Sequence, residues 1–134
     1  MTTFFLRIAA VISLLFAVGH ALGGVKKWSP MGDNEVLKAM ETVRFDVMGA
    51  NRSYFDFFIG FGWSLGVFLL LQSVLLWQIA SLARTNAMQV RPIIAMFGLA
   101  TLASGVIAWR FILPVPALFC GVLLIVLVAA FMTA

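Results

Sequence analysis

Four long stretches of this chain are so apolar and so sparsely charged that lipid is the natural cover for them, and they dictate what it can fold into. They lie at about residues 4–22, 55–80, 92–112 and 116–132. At 1.5 Å per helical residue, runs of about 17 to 26 residues cross or nearly cross a hydrocarbon core about 30 Å thick. A chain of 134 residues that is 63% apolar and only 10% charged cannot bury so much apolar surface internally. The expected fold class is therefore all-α: a polytopic integral membrane protein, one four-helix transmembrane bundle covering residues 1–134. Its first run competes with a signal peptide, in which Arg7 would precede an apolar Ile8–Val18 segment and a Gly19-His20-Ala21 cleavage site. A retained helix is the expectation.

The one long polar segment separates the first two spans. Within it Asp33 is expected to cap a helix, Glu35 to sit in its first turn, and Val36, Met40, Val43 and Val47 recur at helical spacing. This predicts a short amphipathic helix at about residues 33–48, lying on the membrane or capping the bundle. Gly23-Gly24 and Ser29-Pro30 are expected to break the chain before it, and Gly49 to end it. Pro92 suits the first turn of the third span, and Pro114 and Pro116 suit a tight link to the fourth.

Small residues mark where helices approach closely. Gly60 and Ser64 stand four apart, as do Gly62 and Gly66, and Ala100, Ser104 and Ala108 form a further row. Gln72 and Ser73, deep in the second span, are expected to make interhelical hydrogen bonds. The fourth span has neither charge nor strong polar group, and is expected to face lipid or to offer a surface to a membrane-protein partner.

Charge placement speaks to partners and orientation. The net charge of +4 comes from nine basic residues that sit mostly at the ends of apolar runs. They read as interfacial anchors for the lipid bilayer, not as a nucleic-acid surface, so no nucleic acid is expected. Six basic residues fall in the segments joining spans one to two and three to four, against three elsewhere, which favours the long loop inside. Arg7 and the acid-free Arg84/Arg91 loop point the other way, and both termini are taken as cytoplasmic.

The site candidates follow from topology. Asp56 stands where the second span enters hydrocarbon, and no further charge appears before Arg84. An acid there is costly unless paired or wetted, which makes it a functional candidate by default. In an antiparallel four-span bundle the end of helix one, the start of helix two and the end of helix three share a membrane face. His20, Asp56 and Arg110 then come to one leaflet with Arg44, Asp46, Asn51, Arg52 and Tyr54. A His20/Asp56 acid–base pair would make a membrane enzyme acting on a lipid or isoprenoid substrate, with Arg52, Asn51, Tyr54 and Arg110 holding an anionic headgroup. The competing arrangement pairs Asp56 with Arg52 and leaves His20 on a backbone carbonyl. The leading reading is a non-catalytic bundle that binds a lipid-like ligand or serves as an accessory subunit.

Sharper chemistries are excluded by what is missing. A single histidine and no metal-ligand spacing leave no metal site, and no phosphate-binding or nucleophile-elbow motif occurs, so no cofactor is expected. Cys120 stands alone, which rules out an internal disulfide or a Cys-x-x-Cys pair.

Three motifs, Gly19-His20-x-x-Gly23, Phe45-x-x-Met48-Gly49-x-x-Arg52-Ser53-x-x-Asp56 and Gly60-x-Gly62-x-Ser64, resemble a family of small, uncharacterised bacterial membrane proteins with four helices. The resemblance covers about the first 80 residues and brings no activity. It implies a multi-pass protein of the bacterial inner membrane.

Overall fold

A computed structural model describes all 134 residues. The chain is all-α but for one small hairpin: α1 (Thr2–Val25), α2 (Glu35–Thr42), β1 (Arg44–Val47), β2 (Ala50–Ser53), α3 (Tyr54–Leu82), α4 (Ala87–Phe111) and α5 (Pro114–Met132). Helices α1, α3, α4 and α5 are each long and apolar enough to cross a membrane, and they correspond to the four expected spans. Two compact units are distinguishable: Met1–Phe16 with Leu69–Ala134, and Ala17–Phe68.

The first unit is held by aliphatic packing. Leu6, Ala9, Ala10, Leu76, Ile79, Ile94, Leu123 and Leu127 form a buried cluster with Ala80, Ala83, Val90 and Ala130. Lipid is as apolar as these side chains, so this cluster is held by close fit and by a few hydrogen bonds between helices. As expected, Gln72 donates to the Ser13 hydroxyl at 3.2 Å, and the Ser73 hydroxyl donates to the Ala10 carbonyl at 2.8 Å. The Thr2 hydroxyl donates to the Thr133 carbonyl at 2.6 Å, placing the two chain ends together. Cys120 is buried against α4, where a Cβ on Gly105 would lie 3.1 Å from its own. One stripe of α5 is buried through Cys120, Leu123, Leu127 and Ala130, while Val115, Leu118, Ile125 and Val128 stay exposed.

Several local expectations are corrected. The predicted helix at 33–48 stops at Thr42, and its cap is Asn34, whose side chain accepts from the Leu37 amide, not Asp33. Val43 and Val47 do not continue it. Residues 44–53 instead pair as an antiparallel hairpin with Arg44 opposite Ser53, Phe45 opposite Arg52, Asp46 opposite Asn51 and Val47 opposite Ala50. Its two-residue turn, Met48-Gly49, has φ of 53° and 81°, the left-handed pair that a tight hairpin demands. Gly49 therefore turns a hairpin and ends no helix.

Helix α4 starts five residues before Pro92, because Asn86 caps it by accepting from the Gln89 amide. Pro92 sits in the second turn, where its missing N–H removes only the bond to the Met88 carbonyl. Pro114, expected in a link, is the first residue of α5. The expected small-residue row in the third span is also displaced. Ala100 and Ser104 are exposed, and the face against α5 is Thr101, Gly105 and Ala108.

Candidate functional site

In the second unit the decisive residue is one the sequence reading passed over, Trp28. Helix α1 does not break at Gly23-Gly24; it runs to Val25 and closes in a Schellman motif. The Trp28 amide donates to the Gly23 carbonyl and the Lys27 amide to the Gly24 carbonyl, both at 2.9 Å. The residue that usually takes the left-handed position in this motif is glycine. Here it is Lys27, with φ 55°, followed by Trp28 at φ 45°. Two consecutive left-handed side-chain-bearing residues cost of order 1–3 kcal/mol each, so the surroundings must over-determine them.

Those surroundings are the glycines. The turn folds the Trp28 indole back onto α1 and α3, where a Cβ at Gly23 or Gly24 would come within 3.0 or 2.8 Å of it. At Gly62 a Cβ would run into the indole, closer than any real contact. Gly23, Gly24 and Gly62 thus form a floor that only hydrogen side chains leave open. Trp63 and Phe58 pack edge-on against the indole at 5.3 and 6.3 Å, and the His20 ring lies 5.0 Å from it. Of the two small-residue rows expected in the second span, only the Gly62/Gly66 row meets α1 and its turn, Gly62 under the indole and Gly66 beside the His20 ring. Gly60 and Ser64 are exposed.

Hydrogen bonds lock the same group. The indole N–H of Trp28 donates to the His20 carbonyl at 3.0 Å. His20 Nε2 lies 2.7 Å from the Gly62 carbonyl, so that nitrogen carries the proton and donates. His20 therefore bonds a backbone carbonyl and has no hydrogen bond to Asp56. Lys27 pairs with Glu41 at 3.0 Å and Asp33 at 3.5 Å, and lies 5.5 Å from the Phe55 ring. The hydrogen bond it donates to the Glu41 carboxylate holds the Lys27 ammonium above its ordinary pKa range. Beneath this turn a cleft of about 170 Å³ is lined by Trp28, Pro30, Asn34, Leu37, Met40 and Phe58.

Asp56 has a structural partner. Its carboxylate accepts from the Ser53 amide at 2.8 Å, while the Ser53 hydroxyl accepts from the Asp56 amide at 3.0 Å. This is a reciprocal capping box that starts α3. Neither the expected Asp56–Arg52 ion pair nor the Asp56–His20 pair forms. The signal was present in the spacing Ser53-x-x-Asp56, and attention to its charge hid it.

The basic residues of the hairpin converge elsewhere. Arg52 donates to the Asn51 carbonyl at 2.9 Å, and Arg44 donates to that same oxygen at 3.3 Å while its Nε donates to the Asn51 side chain. The only ion pairs in the molecule are those of Lys27, so neither guanidinium has a carboxylate within pairing distance. Phe45, which shares a hairpin face with its partner Arg52 and lies on the face away from Arg44, packs on Tyr54 at 5.2 Å and Phe57 at 6.1 Å, which seats the hairpin on the start of α3. Tyr54, Asn51 and Arg52 are exposed beside one another. Arg110 belongs to the other unit, where its guanidinium lies 5.2 Å from the Phe111 ring. No group of histidine, cysteine or acidic side chains is arranged to hold a metal ion.

No family model, curated protein or solved structure matches the chain. Of the motif residues picked out in the sequence, Gly23 and Gly62 seat Trp28, His20 bonds Gly62, Ser53 and Asp56 cap α3, and Met48-Gly49 turns the hairpin.

Proposed function

We propose that this protein is a non-catalytic membrane bundle that binds an anionic, lipid-like molecule, with the headgroup held at the hairpin by Arg44 and Arg52 and flanked by Asn51 and Tyr54. The observation that carries the reading is the convergence of two guanidiniums on one carbonyl oxygen with no carboxylate to pair them. Like charges held this close repel, and a phosphate between them would turn that repulsion into two charge-assisted, geometrically matched contacts. Each guanidinium keeps further N–H donors free for it. The Asp56 carboxylate interacts with both guanidiniums from beyond pairing distance and tempers the site without pairing either arginine.

The acid–base alternative has less to stand on. His20 donates to Gly62 and Asp56 accepts from Ser53, so each candidate already has a structural partner. An accessory role would use the exposed side of α5 as the partner surface.

The test is binding of short-chain phosphatidylglycerol and phosphatidylcholine to the purified protein. The wild type should prefer the anionic lipid by about tenfold, the scale of a charge-assisted contact, and an Arg44→Gln/Arg52→Gln double variant should lose that preference. Asp56→Asn, which keeps an acceptor for the Ser53 amide but removes the charge, should strengthen it. Inorganic phosphate competing as well as the lipid would make the ligand a free anion. Equal binding of both lipids by the wild type would sink the reading.

A further inference from the structure

The first unit carries a second feature suited to a lipid, independent of the hairpin. A groove of about 370 Å³ runs between α1 and α3, lined by Ala10, Leu14, Leu70, Val74 and Trp77. Its one buried hydroxyl, Ser73, is already committed to the Ala10 carbonyl, and its other polar side chain, Gln78, is exposed at the surface, so the groove offers no free donor deep inside. Hydrocarbon is the only filling that loses nothing there, and an unfilled groove would forfeit dispersion contacts along both helices. From Leu70 to Trp77 the helix rises roughly 10 Å, room for a stretch of a single extended chain.

The end of the groove is charged. Arg7 lies with its guanidinium 3.5 Å from the centre of the Trp77 ring and donates one hydrogen bond, to the Ser81 hydroxyl at 3.0 Å. It has no carboxylate partner, since both ion pairs in the molecule belong to Lys27. Stacking on Trp77 fixes the guanidinium plane, and the remaining N–H groups are unspent. A fixed, unpaired guanidinium at the mouth of an apolar groove is complementary to an anion that ends a hydrocarbon chain.

We propose that this groove is a binding site for one anionic phospholipid, an acyl chain lying against Leu70 and Val74 and the phosphate on Arg7. Charge complementarity selects this occupant over a zwitterionic lipid or a partner helix. The site stands or falls apart from the hairpin, because it uses none of the hairpin's residues.

Native mass spectrometry of the intact protein from nanodiscs of equimolar phosphatidylglycerol and phosphatidylcholine tests it. One phosphatidylglycerol should be retained in preference to phosphatidylcholine. Arg7→Gln should cut that retention about tenfold, the loss expected for a charge-assisted contact. Val74→Trp, which fills the groove, should remove it while Arg7 remains. Thermal unfolding of both variants confirms that each is folded, and Arg7→Lys, which keeps the charge without the planar fork, should restore part of the retention. The Arg44→Gln/Arg52→Gln variant should leave this lipid in place. Retention equal for the two lipids, or unchanged by both Arg7→Gln and Val74→Trp, would mean ordinary boundary lipid and overturn the proposal. Loss in the hairpin variant alone would assign the lipid to the hairpin and overturn it equally.

Discussion

Different physics holds each of the two units together internally. The first is a broad aliphatic contact in which Leu6, Leu76, Ile94, Leu123 and Leu127 share the work with alanines. The second is a small number of specific contacts around one indole: three glycines beneath it, a histidine beside it and a strained turn that delivers it. A broad contact tolerates the loss of any one atom group in proportion to the space it leaves. A specific one fails at a single position.

The contrast can be broken first in the aliphatic unit. Leu76 is fully buried, and Leu76→Ala should cost about 2–5 kcal/mol, depending on how far the helices settle into the space. Denaturant or thermal unfolding in detergent measures it. A loss well under 1 kcal/mol would show that lipid or neighbouring side chains fill the gap freely, and the aliphatic unit would not be close-packed.

The aromatic unit should respond to a smaller chemical change. Gly62→Ala adds one methyl group where the indole already lies, and overpacking of this kind costs about 1–3 kcal/mol. The sharper form is a double-mutant cycle. In a Trp28→Ala background the same Gly62→Ala change should become nearly neutral, since the two residues act through one contact. An undiminished penalty without Trp28 would place the cost in the helix and not in the indole floor.

The smallest effect belongs to Lys27, whose side chain is exposed to water. Its ammonium is held above the ordinary value of 10.5 by Glu41, with Asp33 helping. A raised folded-state pKa means the pairing contributes fully below the unfolded value and is lost as pH rises through the higher folded one. The difference in melting temperature between wild type and Lys27→Met should therefore be steady at neutral and mildly alkaline pH and should shrink above about pH 10.5. A difference that shrinks below pH 9 would point to another group.

The same contrast explains what was readable in the residues. The four spans were legible because hydropathy over some twenty positions averages out every local exception. Around the hairpin there was no averaging. Val43 and Val47 stand four apart, a spacing that is both one helical turn and an even number of strand positions, so they fit either period. Phe45 between them favours a strand, and the left-handed Met48-Gly49 turn decides the matter. Asp33 and Asn34 are both competent caps, and only the geometry of the Leu37 amide chooses. Trp28 was missed because its effect depends on Gly62, far along the chain, and on backbone angles that a tryptophan rarely adopts. Its faint signature was two glycines followed, four residues on, by a tryptophan in an otherwise polar loop.

The seat of Trp28 also sets an order of events during synthesis. Residue 28 leaves the ribosome well before residue 62, so for that interval the indole has only the last turn of α1 to rest on. The strained Lys27–Trp28 turn gains its full support once α3 has entered the membrane and brought Gly62 and Trp63 alongside. Closure of the indole onto its glycines thus reports, from within the chain, that the second span has been inserted.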